Sequence, residues 1–177
     1  MPKQIVLLSG SISSGKTSLA TLLNEQFGFH VLKTKVVIQS LARQKSGKEI
    51  EAERRTMQKF GETLDRETNG RWVRDALNRF LRDLGSAASE ALVVIDAVRI
   101  LEQIRAIRQA YSFSVVHVHL KAPKEILAAR YKEREVEGFQ ELGSFSEAER
   151  NRTEARVKRL DRQGGNSPRP IFARVRP

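Results

Sequence analysis

The chain has 177 residues, of which 40% are hydrophobic and 30% are charged, and this fits one domain with a single core. No run approaches the ~18 consecutive apolar residues that a membrane-spanning helix requires, and the first residues lack the pattern of a secretory signal. The absence of cysteine excludes a disulfide framework and a thiol nucleophile. We therefore expect a cytoplasmic protein with no membrane partner.

The net charge is strongly basic, because 32 lysines and arginines face 21 acidic residues and leave a formal charge of +11. Such a balance attracts polyanions, either nucleic acids or small phosphorylated ligands. The sequence has no lysine-rich low-complexity run and little aromatic interleaving. Nucleic acid is therefore disfavoured as the main partner, and a small phosphorylated ligand is favoured.

Apolar runs of strand length alternate with amphipathic helical segments along the chain. Strands that lack polar alternation and are separated by helices indicate a parallel sheet covered on both faces, so the predicted fold class is α/β. We predict strands at 4–9, 29–33, 91–95 and 113–120, and helices at 17–27, 36–68 with a break near 46–47, 71–84, 100–110, 123–135 and 147–160.

The domain organisation follows from composition. Residues 1–162 are predicted to form one domain without internal repeats, and the GSAAS segment at 85–89 is predicted to be a flexible link. Residues 163–177 form a basic tail rich in proline and glycine. This tail either supplies a last short strand at 171–175, is loose, or is the remnant of a truncated strand.

A glycine- and serine-rich segment, GSISSGKT at 10–17, fits the pattern G-x-x-x-x-G-K-[ST] of a phosphate-binding P-loop. An apolar strand precedes it and an amphipathic helix follows, as that motif requires. Backbone N–H groups of such a loop and of the first helical turn cradle phosphates. The lysine reaches the β- and γ-phosphates, and the threonine hydroxyl holds Mg²⁺. We predict ATP and Mg²⁺ as cofactors, with ATP bound by Gly10, Ser13, Ser14, Gly15, Lys16, Thr17 and Ser18.

Asp96 lies at the tip of the strand predicted at 91–95, where a second acidic group can ligate Mg²⁺ together with Thr17. The alternative is that Asp96 caps a helix predicted to start near Arg99. A GTPase is disfavoured, because Arg99 stands where a glycine is expected after the acidic residue and no Asn-Lys-x-Asp motif occurs.

Basic side chains recur near the ends of predicted strands and in loops. Ligands of a parallel sheet sit outside the carboxyl ends of its strands, and guanidinium groups bind two phosphate oxygens at once. Taken together, these side chains predict a second anion site, for the phosphate acceptor, although each one alone is also compatible with a solvated surface charge. The candidate substrate-binding residues are Lys33, Lys35, Arg66, Arg71 and Arg99.

Arg130 and Arg134 lie one helical turn apart, before a glycine-containing break at 138–144. Such a pair can neutralise the charge of the transferring phosphoryl group when a lid closes. We therefore group them with Lys16 and Asp96 as candidate catalytic residues. The alternative is an exposed helix face that pairs with nearby glutamates.

Four stretches together carry a likeness to a known family: GSISSGKTSLATLL, QKFGETLDRETNGRWVRDALN, VVIDAVRILEQIRAIRQAY and VVHVHLKAPKEILAARYKERE. Over about residues 3–160 the chain resembles P-loop nucleoside monophosphate kinases, nearest to phage-type deoxynucleoside monophosphate kinases and dephospho-coenzyme A kinases. The resemblance implies a three-layer P-loop fold, acceptor-site helices at about 35–84 and a helical lid at about 134–148. It also implies that Lys16 and Thr17 are phosphate and Mg²⁺ ligands, Arg66 and Arg99 are acceptor contacts, and Arg130 and Arg134 are lid arginines.

One departure from that family bears on the acceptor. Relatives that phosphorylate an alcohol often carry an aspartate at the end of the second strand, whereas this chain has Lys33-Thr34-Lys35 there. An alcohol must lose a proton in order to attack, but a phosphate monoester is already anionic. We therefore favour a phosphorylated acceptor, in particular a nucleoside monophosphate.

Three alternatives stay open. The first is a kinase of an alcohol, with Asp96 or Asp65 as the base. The second is an ATP-binding regulatory or degenerate module, and the third is an ATPase stimulated by nucleic acid. Outside these sites, His117 and His119 are predicted to be packed or hydrogen-bonded rather than metal ligands, and Trp72 is predicted to lie in the core.

Overall fold

A computed structural model describes residues 1–46, 54–136, 143–150 and 152–162. Four strands and eight helices are defined in these ranges, together with 3₁₀ helices at Gly85–Ser89 and Ser112–Ser114. The strands are β1 (Gln4–Gly10), β2 (His30–Lys33), β3 (Leu92–Asp96) and β4 (Val115–Leu120). The helices are α1 (Lys16–Phe27), α2 (Thr34–Ser46), α3 (Arg54–Thr68), α4 (Trp72–Asp83), α5 (Leu101–Tyr111), α6 (Lys124–Val136), α7 (Phe145–Arg150) and α8 (Arg152–Arg162).

The described strands form one parallel sheet in the order β2-β3-β1-β4, which confirms the predicted α/β class. Strand β1 is central, so the loop after it leaves the sheet between the ends of β3 and β4. The register pairs Leu8 with Asp96, Lys33 with Asp96, and Gly10 with Leu120. The carboxyl ends of all four strands therefore meet along one rim.

Helices cover both faces of the sheet, because successive side chains of a strand point to opposite faces. Ile5 and Leu7 of β1 belong to a large cluster with α3, α4 and α5, which Leu160 of α8 also joins. Val6 and Leu8 belong to a smaller cluster with Ala20 of α1. The result is the expected three-layer arrangement, helices on sheet on helices.

Most predicted elements agree with the observed ones to within one or two residues, but two details differ. The GSAAS segment is a 3₁₀ helix rather than a flexible link. The helix predicted at 147–160 is replaced by α7 and α8, so helical structure begins two residues earlier, at Phe145. Residues 47–53, most of the predicted break at 138–144 and the whole tail at 163–177 lie outside the described ranges. None of the described helices combines the length and the apolar character that a membrane crossing needs.

Candidate phosphoryl-transfer site

The loop between β1 and α1 has the backbone of a phosphate-binding loop. Gly15 takes a left-handed conformation, with φ of 89°, immediately before the first residue of α1. Gly10 has φ of 145°, and a Cβ atom there would lie 2.5 Å from the carbonyl oxygen of Leu120 and 2.7 Å from Ser14 Oγ. Only glycine fits at position 10, because β4 and the loop itself approach the backbone so closely.

Lys16 covers this loop with its ammonium group. Its Nζ atom donates to the carbonyl oxygens of Gly10 at 2.9 Å and Ser11 at 2.8 Å, and it lies 3.4 Å from Ser14 Oγ. The hydroxyl of Ser13 is buried and lacks a hydrogen-bond partner among the described residues. A buried hydroxyl without a hydrogen-bond partner is destabilising. A phosphate oxygen bound in the loop would accept a hydrogen bond from it. The loop therefore fits the triphosphate that the sequence predicts.

Thr17 and Asp96, the two predicted Mg²⁺ ligands, are in direct contact. Thr17 Oγ1 donates to Asp96 Oδ2 at 3.0 Å, across 79 positions of sequence. The alternative role of Asp96 is wrong: α5 begins at Leu101, its N-cap residue is Ile100, and no side-chain hydrogen bond caps it. A hydroxyl and a carboxylate oxygen side by side are the hard oxygen ligands that Mg²⁺ prefers.

Thr34 ties the end of β2 to the end of β3. Its buried Oγ1 accepts from the Ala97 N–H at 3.0 Å and lies 3.1 and 3.2 Å from the carbonyl oxygens of Ala97 and Asp96. In the Lys33-Thr34-Lys35 segment, the middle residue thus fixes the backbone beside Asp96, and both lysines are exposed. The sequence had drawn attention only to the lysines.

The five candidate acceptor cations fall into two groups. Lys33 and the partly buried Arg99 lie on the rim that carries the P-loop, since Lys33 pairs with Asp96 and Arg99 follows it by three residues. Lys35 is the second residue of α2 and directly follows Thr34. Arg66 and Arg71 are exposed near the end of α3, where Arg71 Nε donates to the Thr68 carbonyl at 3.0 Å. No contact among the described residues links Arg66 or Arg71 to the P-loop or to Asp96.

A hydrogen-bonded network lies beside Arg99 and was not foreseen from the sequence. Asp65 Oδ1 accepts from Trp72 Nε1 and from Gln103 Nε2, both at 2.8 Å, and Gln103 Oε1 accepts from the Arg99 N–H at 2.7 Å. Arg156 of α8 approaches Asp65 Oδ2 to 3.9 Å. The pattern contained one signal for it: Gln103 lies one turn before Ile107 on the buried face of α5.

Burial raises the pKa of Asp65, although its hydrogen bonds from Trp72 and Gln103 and the charges of Arg156 and Arg99 oppose this shift. Burial is the largest of these influences, so the surrounding donors and cations leave the carboxylate incompletely stabilised. Trp72 is itself buried, as predicted, with 6% of its surface exposed. Its ring packs in the core, while its indole N–H donates a hydrogen bond to the Asp65 carboxylate.

The helices that follow β4 contact the P-loop through Ile12. The Ile12 side chain is buried with Tyr131, Phe145 and Ala148, and its N–H donates to Glu154 Oε2 at 2.9 Å. Glu154 is also buried, and nothing in the sequence pattern had pointed to it. Arg130 is partly buried on α6, whereas the side chain of Arg134 lies outside the described part of the structure. The lid role of both arginines stays a prediction.

The two histidines of β4 contact the residue that precedes the P-loop. Ser9 Oγ lies 2.7 Å from His117 Nε2 and 2.7 Å from His119 Nδ1, and all three residues are buried. Burial lowers the pKa of His117 from 6.5 to about 4, with smaller contributions from the charges of His119 and Arg108. No group of three or more possible metal ligands occurs among the described residues. The contacts of both histidines with Ser9 confirm the prediction that they are packed or hydrogen-bonded.

The fold and this site define a P-loop, kinase-like protein. The model of an AAA domain family, AAA_33, matches residues 5–163, and the chain belongs to this family. The sequence matches none of the curated proteins with which it was compared.

Solved structures share this fold, among them the following three. A gluconokinase from Sinorhizobium meliloti 1021 is 15% identical, with 99% of this chain and 85% of that chain covered and a TM-score of 0.56. TT1252 from Thermus thermophilus is 17% identical, with 99% and 91% covered and a TM-score of 0.55. A sugar kinase from Janibacter sp. HTCC2649 is 15% identical, with 98% and 85% covered and a TM-score of 0.51. At these identities the likeness concerns the fold.

Proposed function

We propose that the protein transfers the γ-phosphoryl group of ATP, with Mg²⁺, to a nucleoside monophosphate or a similar phosphorylated small molecule. The observation that carries this proposal is the contact between Thr17 and Asp96 at 3.0 Å, next to Lys16 on the P-loop. It brings a hydroxyl, a carboxylate and an ammonium group from two strand ends to the same place. We also propose that the chain is related to the nucleoside monophosphate kinases. In this proposal residues 1–162 form the kinase domain, with a lid at about 134–148.

The residues of the loop divide the work of holding ATP. Lys16 exchanges the carbonyl oxygens of Gly10 and Ser11 for phosphate oxygens, and Ser13 Oγ donates to the same ligand. Thr17 and Asp96 would hold Mg²⁺, which would neutralise charge on the phosphates of ATP. Catalysis comes from positioning and from charge stabilisation, to which the lid arginines Arg130 and Arg134 contribute, without a covalent intermediate.

The charge at the end of β2 supports a phosphorylated acceptor. Lys33 and Lys35 are exposed there, and Arg99 follows the neighbouring strand by three residues after Asp96, so three cations lie near the ends of β2 and β3 in the chain. A phosphate monoester binds well to such a group of cations and needs no base in order to attack. The β2 end carries no carboxylate that would serve as one.

Asp65 favours a second candidate function, the phosphorylation of an alcohol. Its pKa is raised by burial, which is the direction that a general base at neutral pH requires. In that case the carboxylate must lie within about 3 Å of the attacking oxygen. The names of the gluconokinase and sugar kinase structures agree with such an acceptor, but at 15% identity they indicate only the fold.

The deciding experiment measures ADP release from ATP and Mg²⁺ across a panel of acceptors. The panel contains ribo- and deoxyribonucleoside monophosphates, dephospho-coenzyme A, gluconate and single-stranded DNA. Release that depends on a nucleoside monophosphate supports the proposal, and release that depends only on gluconate or another alcohol supports the second candidate. Binding of ATP with no stimulation by any acceptor would instead identify a regulatory or degenerate module and refute both. Stimulation by DNA alone would point to a nucleic-acid-dependent ATPase.

A further inference from the structure

The two oxygens of Asp65 are used very differently. Oδ1 receives the N–H groups of Trp72 and Gln103, each at 2.8 Å. Oδ2 faces Arg156 at 3.9 Å, which is too long for a hydrogen bond. The side chain of Asp65 is only 11% exposed. Oδ1 thus joins α3 to α4 and α5 through hydrogen bonds, whereas Oδ2 is an acceptor without a protein hydrogen bond that lies near the guanidinium group of Arg156.

Gln103 connects this carboxylate to the rim of the sheet. Its amide orientation is fixed by chemistry, because a carboxylate at pH 7 can only accept and a backbone N–H can only donate. Nε2 therefore points to Asp65, and Oε1 points to the Arg99 N–H. Gln103 is 2% exposed. The network places Asp65 one side chain away from the segment that carries Asp96 and Arg99.

The backbone of the turn after α3 lies close to the start of α5, which carries Gln103. Gly70, between α3 and α4, has φ of 73°, and a Cβ atom there would lie 2.7 Å from the Gln103 backbone nitrogen. This close approach presses the turn after Asp65 against the start of α5. The two hydrogen bonds to Oδ1 orient the Asp65 carboxylate, and so the direction of Oδ2, as a group that discriminates between ligands requires.

We propose that Asp65 is a specificity-determining residue: Oδ2 accepts a hydrogen bond from a hydroxyl group of the acceptor, while Arg99 and Arg156 bind the phosphate of the same molecule. The role given to Asp65 rests on the proposed function and defines its acceptor further. The acceptor is a phosphorylated small molecule with a free hydroxyl near its phosphate, as on the sugar of a nucleotide.

A hydroxyl donor fits this position better than the alternatives. A cation on the ligand would be the third, after the guanidinium groups of Arg99 and Arg156, and an apolar group would cover Oδ2 without offering it a hydrogen bond. A hydroxyl supplies the missing hydrogen bond without altering the charge. Buried polar groups that are matched by only one of two analogues give strong discrimination between them. We expect the acceptor with this hydroxyl to be preferred by about 10- to 100-fold over its deoxy analogue.

The test compares the wild-type protein with Asp65→Asn, using the best nucleoside monophosphate and its 2′- and 3′-deoxy analogues. The asparagine keeps an oxygen for Trp72 and Gln103 but loses the charged acceptor at Oδ2. We expect the wild type to lose about 10- to 100-fold in kcat/KM with one deoxy analogue, and D65N to lose this preference. The KM of D65N for ATP should stay within about threefold of the wild-type value.

Trp72→Phe is the matched control, because it removes one donor to Oδ1 and leaves Oδ2 in place. It should lower thermal stability while the hydroxyl preference persists. An equal loss for all acceptors in D65N would show that Asp65 only supports the helix junction, and would overturn the assignment while the proposed function stands. Failure of the wild type to use any nucleoside monophosphate would instead refute the proposed function, and the assignment with it.

A second variant decides the matter if D65N does not fold. Arg156→Gln alters a partly exposed side chain, 32% of which is accessible. It should raise the KM for every phosphorylated acceptor by about tenfold or more and leave the KM for ATP unchanged. An unchanged acceptor KM would remove Arg156 from the site and overturn the proposal.

Discussion

At the scale of single residues, the site depends on groups that can exchange protein partners for ligand partners. Lys16 is the clearest example, since its ammonium group bonds to two carbonyl oxygens of its own loop. These bonds hold the cation above the loop before a phosphate arrives. Arg71 differs, because its guanidinium group donates to the Thr68 carbonyl at the end of α3, and no contact among the described residues joins it to the P-loop. We therefore expect changes at Lys16 to act on turnover much more than on folding.

Lys16→Ala should lower kcat by at least about 100-fold, because it removes a donor aimed at charge that develops in the transition state. The free energy of unfolding should fall by only about 1 kcal/mol, since water can reach the two carbonyl oxygens in this part-buried loop. The measurements are initial rates with the best acceptor and urea unfolding. Lys3→Ala is the control, because Lys3 is exposed at the opposite end of the sheet. Turnover near the wild-type rate in K16A would contradict the site.

At the scale of elements, the P-loop is held from two sides. Strand β1 and helix α1 fix its two ends. Residues of α6, α7 and α8 contact Ile12 in the middle of the loop. The hydrogen bond from the Ile12 N–H to Glu154 places a buried carboxylate against a loop that is proposed to bind a polyanion, and two negative groups so close together repel each other. The helices after β4 and the nucleotide should therefore influence each other through this loop.

Two substitutions of Glu154 should separate the effect of its hydrogen bond on stability from the effect of its charge on ATP binding. Glu154→Ala leaves the buried Ile12 N–H without its acceptor and should cost about 1–3 kcal/mol of unfolding free energy, measured in urea. Glu154→Gln keeps an oxygen for that N–H and should cost less than about 1 kcal/mol. Because it removes a negative charge beside the phosphate loop, it should also bind ATP more tightly. Equal destabilisation by both substitutions, or weaker ATP binding by E154Q, would argue against this account.

The same elements show what a single sequence can and cannot predict. The P-loop, the strand that ends at Asp96 and the apolar stripe of α4 depend on local spacing, so their patterns are visible in the chain itself. The contacts of Glu154 with Ile12 and of Asp65 with Gln103 join residues 142 and 38 positions apart. Such contacts depend on which helix packs over which strand end, and no spacing rule specifies that. Thr34 was overlooked for the same reason.

At the scale of the whole molecule, the sheet couples protonation to the site. Strands β1 and β4 are neighbours, so Ser9, directly before the P-loop, is hydrogen-bonded to His117 and His119 in the interior. Burial lowers the pKa of His117 from 6.5 to about 4, so the folded protein keeps this ring neutral at pH values where the unfolded chain protonates it. Acid should therefore weaken the fold beneath the phosphate loop.

The sign of this effect follows from proton binding. Between about pH 6.5 and 4 the unfolded chain binds more protons at His117 than the folded protein, so the free energy of unfolding falls as the pH falls through this range. A shift of this size contributes up to about 3 kcal/mol, of which about 2 kcal/mol is lost by pH 5.

The variant that tests this is His117→Gln, whose amide occupies the position of Nε2 and does not titrate. Urea unfolding at pH 7 and pH 5 should show a loss in the wild type that exceeds the loss in H117Q by about 2 kcal/mol. His30→Gln, at an exposed position, should behave like the wild type. If the wild type and H117Q lost equal stability, the acid sensitivity would have to come from other groups.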